Sequence, residues 1–191
     1  MNILIVGVGG QGTILASKVL GAYASLIGED CKLSEIHGMS QRGGNVVTHV
    51  RIAPKVYSPI ISYGEADMIL AFELLEAKRA VNFLKKGKIL LANTQKIFPL
   101  SVASGILNYP DVLKDLENTD YKKYFIDADK IAKGIGNIKT VNVVMLGAAS
   151  FLLGFNQEKF IEALKEVIPS KYLEDNLKAY EAGIKAIKTE E

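Results

Sequence analysis

The chain has 191 residues, one cysteine, two histidines, no tryptophan and a formal net charge of +2. Protein-bound iron–sulfur clusters take about four thiolates, and structural zinc about four Cys/His ligands. Cys31, His37 and His49 are the whole supply, so a cluster is excluded and a structural zinc is not expected. One thiol forms no disulfide framework and suits a reducing compartment. With 23 basic against 21 acidic residues, a bulk nucleic-acid or membrane-surface binder is not expected.

The length predicts one domain over 1–191, with a helical part at about 141–188. Hydrophobic content of 49% leaves room for a buried parallel sheet, an oligomer interface, or both. No targeting segment is read at the N-terminus. The apolar run Val143 to Leu153 is well short of the roughly 20 residues of a membrane span. A cytoplasmic protein is expected.

In chain order, Ile3 to Val6 reads as a strand buried on both faces, closed by glycines. A helix to about Ile27 and a strand from Cys31 to Ile36 complete a βαβ unit. His37 to Gly44 is a polar, glycine-rich loop. Asn45 to Ile52 and Val56 to Ile61 read as an antiparallel pair, with Pro59 marking an edge or bulge. Met68 to Phe72 is a strand, Leu74 to Lys86 a helix and Lys88 to Ala92 a strand. Asn93 to Pro110 is irregular, apart from a short helix near Val112 to Leu116 just beyond it. Tyr124 to Ile126 is a strand. Helices over Val141 to Leu153, Gln157 to Ile168 and Lys171 to Lys188 close the chain, with Asn156 and Ser170 as N-caps. The expected fold is α/β, three-layer and Rossmann-like. Its sheet is mixed and mostly parallel, with an antiparallel strand pair and C-terminal helices.

Gly7, Gly9 and Gly12 match G-x-G-x-x-G between a strand and a helix. The first glycine permits a tight turn, the second close approach of a ligand, the third close helix–strand packing. The helix N-terminus favours phosphate or carboxylate. A nicotinamide site also needs an acid near the second strand's end, where Glu35 stands. The doubled glycine and Gln11 depart from that pattern. Dinucleotide binding, another anionic group, and simple packing or a partner contact all remain open.

His37 to Gly44 lies past a strand's carboxyl end, where open α/β sheets bind ligands. Arg42 has the planar fork that clamps a carboxylate or phosphate. A tight polar loop with a paired arginine explains the stretch equally well. Glu73, Asn93 and Asp127 share the same edge, as cleft lining or as helix caps. Lys85 and Lys86 complement the end of the Leu74 helix. The stripe Leu173, Leu177, Tyr180, Ile184 and Ile187 is expected to pack on the sheet. The nucleophile elbow, the zinc-protease helix, the P-loop and a thiamine diphosphate motif are all missing. No residue is assigned a catalytic role, and no metal ligand is assigned.

Several stretches occur together and in order: Gly7 to Gly12, Glu35 to Gly44, Val50-Arg51, Tyr57-Ser58-Pro59, Gly64 to Asp67 and Leu70 to Glu73. In these the chain resembles the gamma-type subunits of the 2-oxoacid:ferredoxin oxidoreductases. His37-Gly38-Met39-Ser40-Gln41-Arg42-Gly43-Gly44 is the most specific part, and it favours the small (beta) subunits of the indolepyruvate branch. The resemblance extends through Asn93 and over Asn142 to Ala148, and is vaguer elsewhere.

The resemblance implies a partner-dependent enzyme that decarboxylates a 2-oxoacid, passes electrons to ferredoxin and traps the acyl group on coenzyme A. Aryl pyruvates would give arylacetyl-CoA and carbon dioxide. A large alpha subunit would carry thiamine diphosphate and the iron–sulfur clusters, with this chain inactive alone and prone to self-association. Gly9, Gly10, Gln11, Gly12 and Arg42 are the expected binding residues, for part of coenzyme A or for the large subunit. The alternative is a stand-alone Rossmann-type nucleotide-binding protein.

Overall fold

The structure is a computed structural model and describes residues 1–38, 44–117 and 119–189. Its strands are β1 (Asn2–Val8), β2 (Asp30–His37), β3 (Asn45–Ala53), β4 (Ala66–Ala71), β5 (Leu84–Asn93) and β6 (Lys122–Ile126). They form one sheet in the order β2-β3-β1-β4-β5-β6. β1, β4, β5 and β6 are parallel neighbours, while β3 runs antiparallel to both β1 and β2.

The helices are α1 (Thr13–Leu26), α2 (Leu74–Ala80), α3 (Leu100–Ala103), α4 (Val112–Glu117), α5 (Ala128–Ile135), α6 (Val141–Leu152), α7 (Gln157–Val167) and α8 (Ser170–Lys188). Because side chains alternate along a strand, Ile3 and Ile5 enter one core and Leu4 and Val6 the other. The first core lies under α1 and α5 to α8, the second under α2 and α4. This three-layer arrangement matches the expected class.

The antiparallel pairing is made differently from the expectation. Val56 to Ile61 is not a strand. Side chains satisfy its backbone instead: Val56 N–H donates to Asp30, Ile61 N–H donates to His49 Nδ1, and Arg51 donates to the Ser58 and Ile60 carbonyls. The Leu74 helix stops at Ala80, and Lys85 and Lys86 open β5. Gly87, with φ +73°, sits where the β4–β5 register shifts, so no helix end remains for these lysines to complement. Helix α5 follows β6 directly, capped by Asp127, whose side chain accepts Lys130 N–H. It went unread in the sequence although Ala128, Ile131, Ala132 and Ile135 recur at helical spacing and Gly136 stops it in a left-handed conformation. Ser170 is the first residue of α8 rather than its cap.

The apolar stripe of α8 packs mainly on α6 rather than on the sheet. A Cβ at Gly147 would overlap the Tyr180 backbone, and one at Gly183 the Val144 backbone. The two glycines let the helix axes approach closely, and Tyr180 is buried there with its hydroxyl accepting from Ser150 Oγ.

Candidate functional site

The carboxyl ends of β1, β4 and β5 converge on the glycine loop. Gln11 ties it down. Its Oε1 accepts the Val8 N–H at 2.7 Å, and its Nε2 donates to Phe72 O at 2.9 Å and to Gln95 Oε1 at 2.8 Å. Gly7 is required beneath it, because a Cβ there would meet Gln11 Oε1 and Phe72. Gly12, at φ 82°, starts α1 without a side-chain cap, and a Cβ there would strike the Asn142 carboxamide. Asn142 in turn donates to Gly12 O at 3.3 Å.

A belt of amides continues across the sheet edge. Gln95 Nε2 donates to Asp129 Oδ1 at 3.1 Å, and Asn93 Nδ2 donates to Asp129 Oδ2 at 2.7 Å and to Phe72 O at 3.3 Å. Asn93 Oδ1 accepts the Ala128 N–H. Gly10, Gln11, Gln95, Asp129, Ile138, Lys139, Val141 and Asn142 enclose a cavity of about 180 Å³. One carboxylate, one ammonium and three carboxamides make it polar and close to neutral. It can hold a hydrogen-bonding group, and none of its lining side chains is a hydroxyl, a thiol or an imidazole. Asn142 Oδ1 is buried without a partner.

The second loop meets the first, since Gly9 N–H donates to Gly44 O at 2.9 Å. Arg42, with Met39, Ser40, Gln41 and Gly43, lies outside the described residues. Of the expected binding residues, Gly10 and Gln11 line the cavity while Gly9 and Gly12 flank them in the loop, and Asn93 joins the surrounding network through Phe72 O and Asp129. Asp127 is a helix cap. Glu35 is engaged by β2, β3 and the start of α1: Thr48 Oγ1 donates to it at 3.1 Å, Thr13 Oγ1 donates at 3.5 Å, and His37 Nε2 stands 2.6 Å away. The partner of His37 was therefore two residues upstream, on the same face of β2. His49 is 3% exposed, and burial holds its imidazole below the ordinary histidine range, so it accepts the Ile61 N–H as a neutral ring. Gln95, Asp129 and Lys139 went unread in the sequence, because no motif marks residues that chain folding alone brings to a loop.

With this geometry established, the comparison with known proteins decides the family. The model of the pyruvate ferredoxin/flavodoxin oxidoreductase family matches residues 2–186. The chain belongs to that family. It is 42% identical to the indolepyruvate oxidoreductase subunit IorB of Thermococcus kodakarensis, covering 98% of this chain and 96% of the relative. It is 29% identical to the pyruvate synthase subunit PorC of Methanocaldococcus jannaschii over 93% of this chain and 91% of the relative. Among solved structures, the keto/oxoacid ferredoxin oxidoreductase gamma subunit of Geobacter sulfurreducens superposes with a TM-score of 0.77 at 26% identity, covering 98% of each chain.

A 2-oxoglutarate:ferredoxin oxidoreductase from Magnetococcus marinus, solved with 2-oxoglutarate, coenzyme A and succinyl-CoA bound, shares the fold at TM-score 0.77 and 21% identity. This chain spans 99% of itself but 31% of that polypeptide, so there the fold is one part of a longer chain. The chain is a subunit of an oxidoreductase of this family, the gamma-type small subunit of a 2-oxoacid:ferredoxin oxidoreductase. None of the relatives named here is a free-standing nucleotide-binding protein. No helix among the described residues is long and apolar enough to cross a membrane.

Proposed function

We propose that this chain is the small subunit of an indolepyruvate-type oxidoreductase, folded as one domain over 1–191. With its large subunit it converts aryl pyruvates and coenzyme A to arylacetyl-CoA and carbon dioxide, the electrons passing to ferredoxin. The observation that carries this is 42% identity to an indolepyruvate oxidoreductase subunit across 98% of the chain. Thiamine diphosphate and the iron–sulfur clusters belong to the large subunit in this reading, which agrees with a supply of one cysteine here.

This chain's part is to shape a binding surface. A cavity of about 180 Å³ is smaller than the roughly 300 Å³ at which drug-sized ligand sites begin, so it takes only a portion of coenzyme A. Gln11, Gln95 and Asn142 suit amide or hydroxyl groups, and Gly9, Gly10 and Gly12 let backbone approach them. Arg42 is proposed, from its place in the sequence alone, as the cation for an anionic group. The large subunit completes the site. Apolar side chains left open to solvent, including Tyr57, Tyr63, Ile106 and Leu107, support an intersubunit face and self-association of the chain when alone.

The test is anaerobic co-expression with the large subunit, followed by coenzyme A-dependent reduction of ferredoxin. Indolepyruvate and phenylpyruvate should be turned over in preference to pyruvate and 2-oxoglutarate, and the large subunit alone should be inactive. Preference for pyruvate, or full activity without this chain, would overturn the reading.

A further inference from the structure

Glu73 is 1% exposed and accepts three hydrogen bonds. Its Oε2 takes the Glu76 N–H at 2.9 Å, which caps α2. Its Oε1 takes the Ile97 N–H at 3.0 Å and the Tyr109 hydroxyl at 2.7 Å. Two of these donors belong to the segment 94–110, not to the helix. Among the ion pairs of the described residues, none involves Glu73, so these donors offset the desolvation of its charge. A cap alone needs only a short Asp, Ser, Thr or Asn. The longer glutamate reaches past the helix to hold a separate strap.

The strap is also held by Leu74 N–H, which donates to Gln95 O at 3.1 Å. Two residues before Ile97, the Gln95 side chain lies between Gln11, at 2.8 Å, and Asp129, at 3.1 Å. We propose that Glu73 is a positioning residue for the glycine-loop cavity, anchoring the strap through Ile97 and Tyr109 so that Gln95 closes the cavity wall. Burial and the hydrogen bond to Glu73 both push the Tyr109 hydroxyl well above the ordinary phenol range, so it stays protonated as the donor. This inference rests on the cavity being a coenzyme A subsite.

The experiment uses the assembled complex and compares Glu73→Gln, Tyr109→Phe, Glu76→Gln and Gln11→Ala. Glu76 is buried in the same helical turn but pairs with Arg79, so its variant reports a merely structural loss. Glu73→Gln and Tyr109→Phe should each raise the KM for coenzyme A by about three- to tenfold, with kcat changed less than about twofold. Glu76→Gln should leave that KM unchanged. In the full-length chain, the Gln95 carboxamide resonances should move in Glu73→Gln and not in Glu76→Gln. If Glu73→Gln does not assemble, Tyr109→Phe decides by the same two readouts. An unchanged KM in Glu73→Gln beside a raised KM in Gln11→Ala overturns the anchoring role alone. An equal rise in Glu76→Gln overturns it as well. An unchanged KM in Gln11→Ala overturns the subsite reading, and the anchoring proposal with it.

Discussion

The Gln11 carboxamide donates to the Gln95 carboxamide at 2.8 Å, so a loop after the first strand and a strap after the fifth share one hydrogen bond. Gln11 makes its other bonds to backbone on either side, Val8 N–H and Phe72 O. It is thus the point at which the glycine loop is fastened to the rest of the sheet edge. Gln11→Ala strands partly buried backbone groups, each costing about 1–3 kcal/mol. A drop in Tm of several degrees by calorimetry, with Gln11→Glu unable to restore the bond to Phe72 O, is the expected outcome.

Gly10 and Gly12 both have positive φ, at 99° and 82°, yet they should respond differently to alanine. Nothing lies near a Cβ on Gly10, so Gly10→Ala carries only backbone strain of about 1–2 kcal/mol. Gly12→Ala adds a collision with Asn142. Denaturant titration should show the Gly12 variant losing clearly more stability, and Asn142→Ala should recover part of the difference in the double variant.

At the α6–α8 crossing, Gly147→Ala and Gly183→Ala place a methyl group into opposing backbone. Backbone cannot rotate away as a side chain can. Each variant should cost about 3 kcal/mol or more, read as a lower denaturation midpoint. Gly134→Ala on α5, where a Cβ meets open space, should be neutral or stabilising.

His49 sets a pH dependence. Burial lowers its folded pKa beneath the unfolded value near 6.5, so the folded state favours the neutral ring. The stability this contributes is present above the unfolded pKa and is lost as pH falls toward and through the folded one. Tm should therefore decline below about pH 6.5, and His49→Gln should flatten that decline. An identical pH profile in the variant would show that other groups control it.

The sequence by itself determined the parts whose cause is local. Continuous apolar runs, the first closed by glycines, predict β1 and β4, because a strand buried on both faces needs no polar alternation. G-x-G-x-x-G between strand and helix predicts the loop at Gly7 to Gly12, because its backbone geometry depends on glycine at those positions. The scarcity of cysteine and histidine excluded cluster chemistry on this chain, and the stretch from His37 to Gly44 carried the resemblance to the family.

Tertiary structure alone decided what surrounds that loop. Val56 to Ile61 has strand composition, but Asp30, Arg51 and His49 satisfy its backbone before a neighbouring strand can. Gln95 and Asp129 lie more than eighty residues beyond Gln11, one in the strap after β5 and the other in the first turn of α5 after β6, and only the parallel order β1-β4-β5-β6 brings them to it. Hydrogen-bond partners so far apart in the chain leave no spacing for a pattern to record. The cavity wall, and the glutamate that anchors it, exist only once the sheet has been assembled.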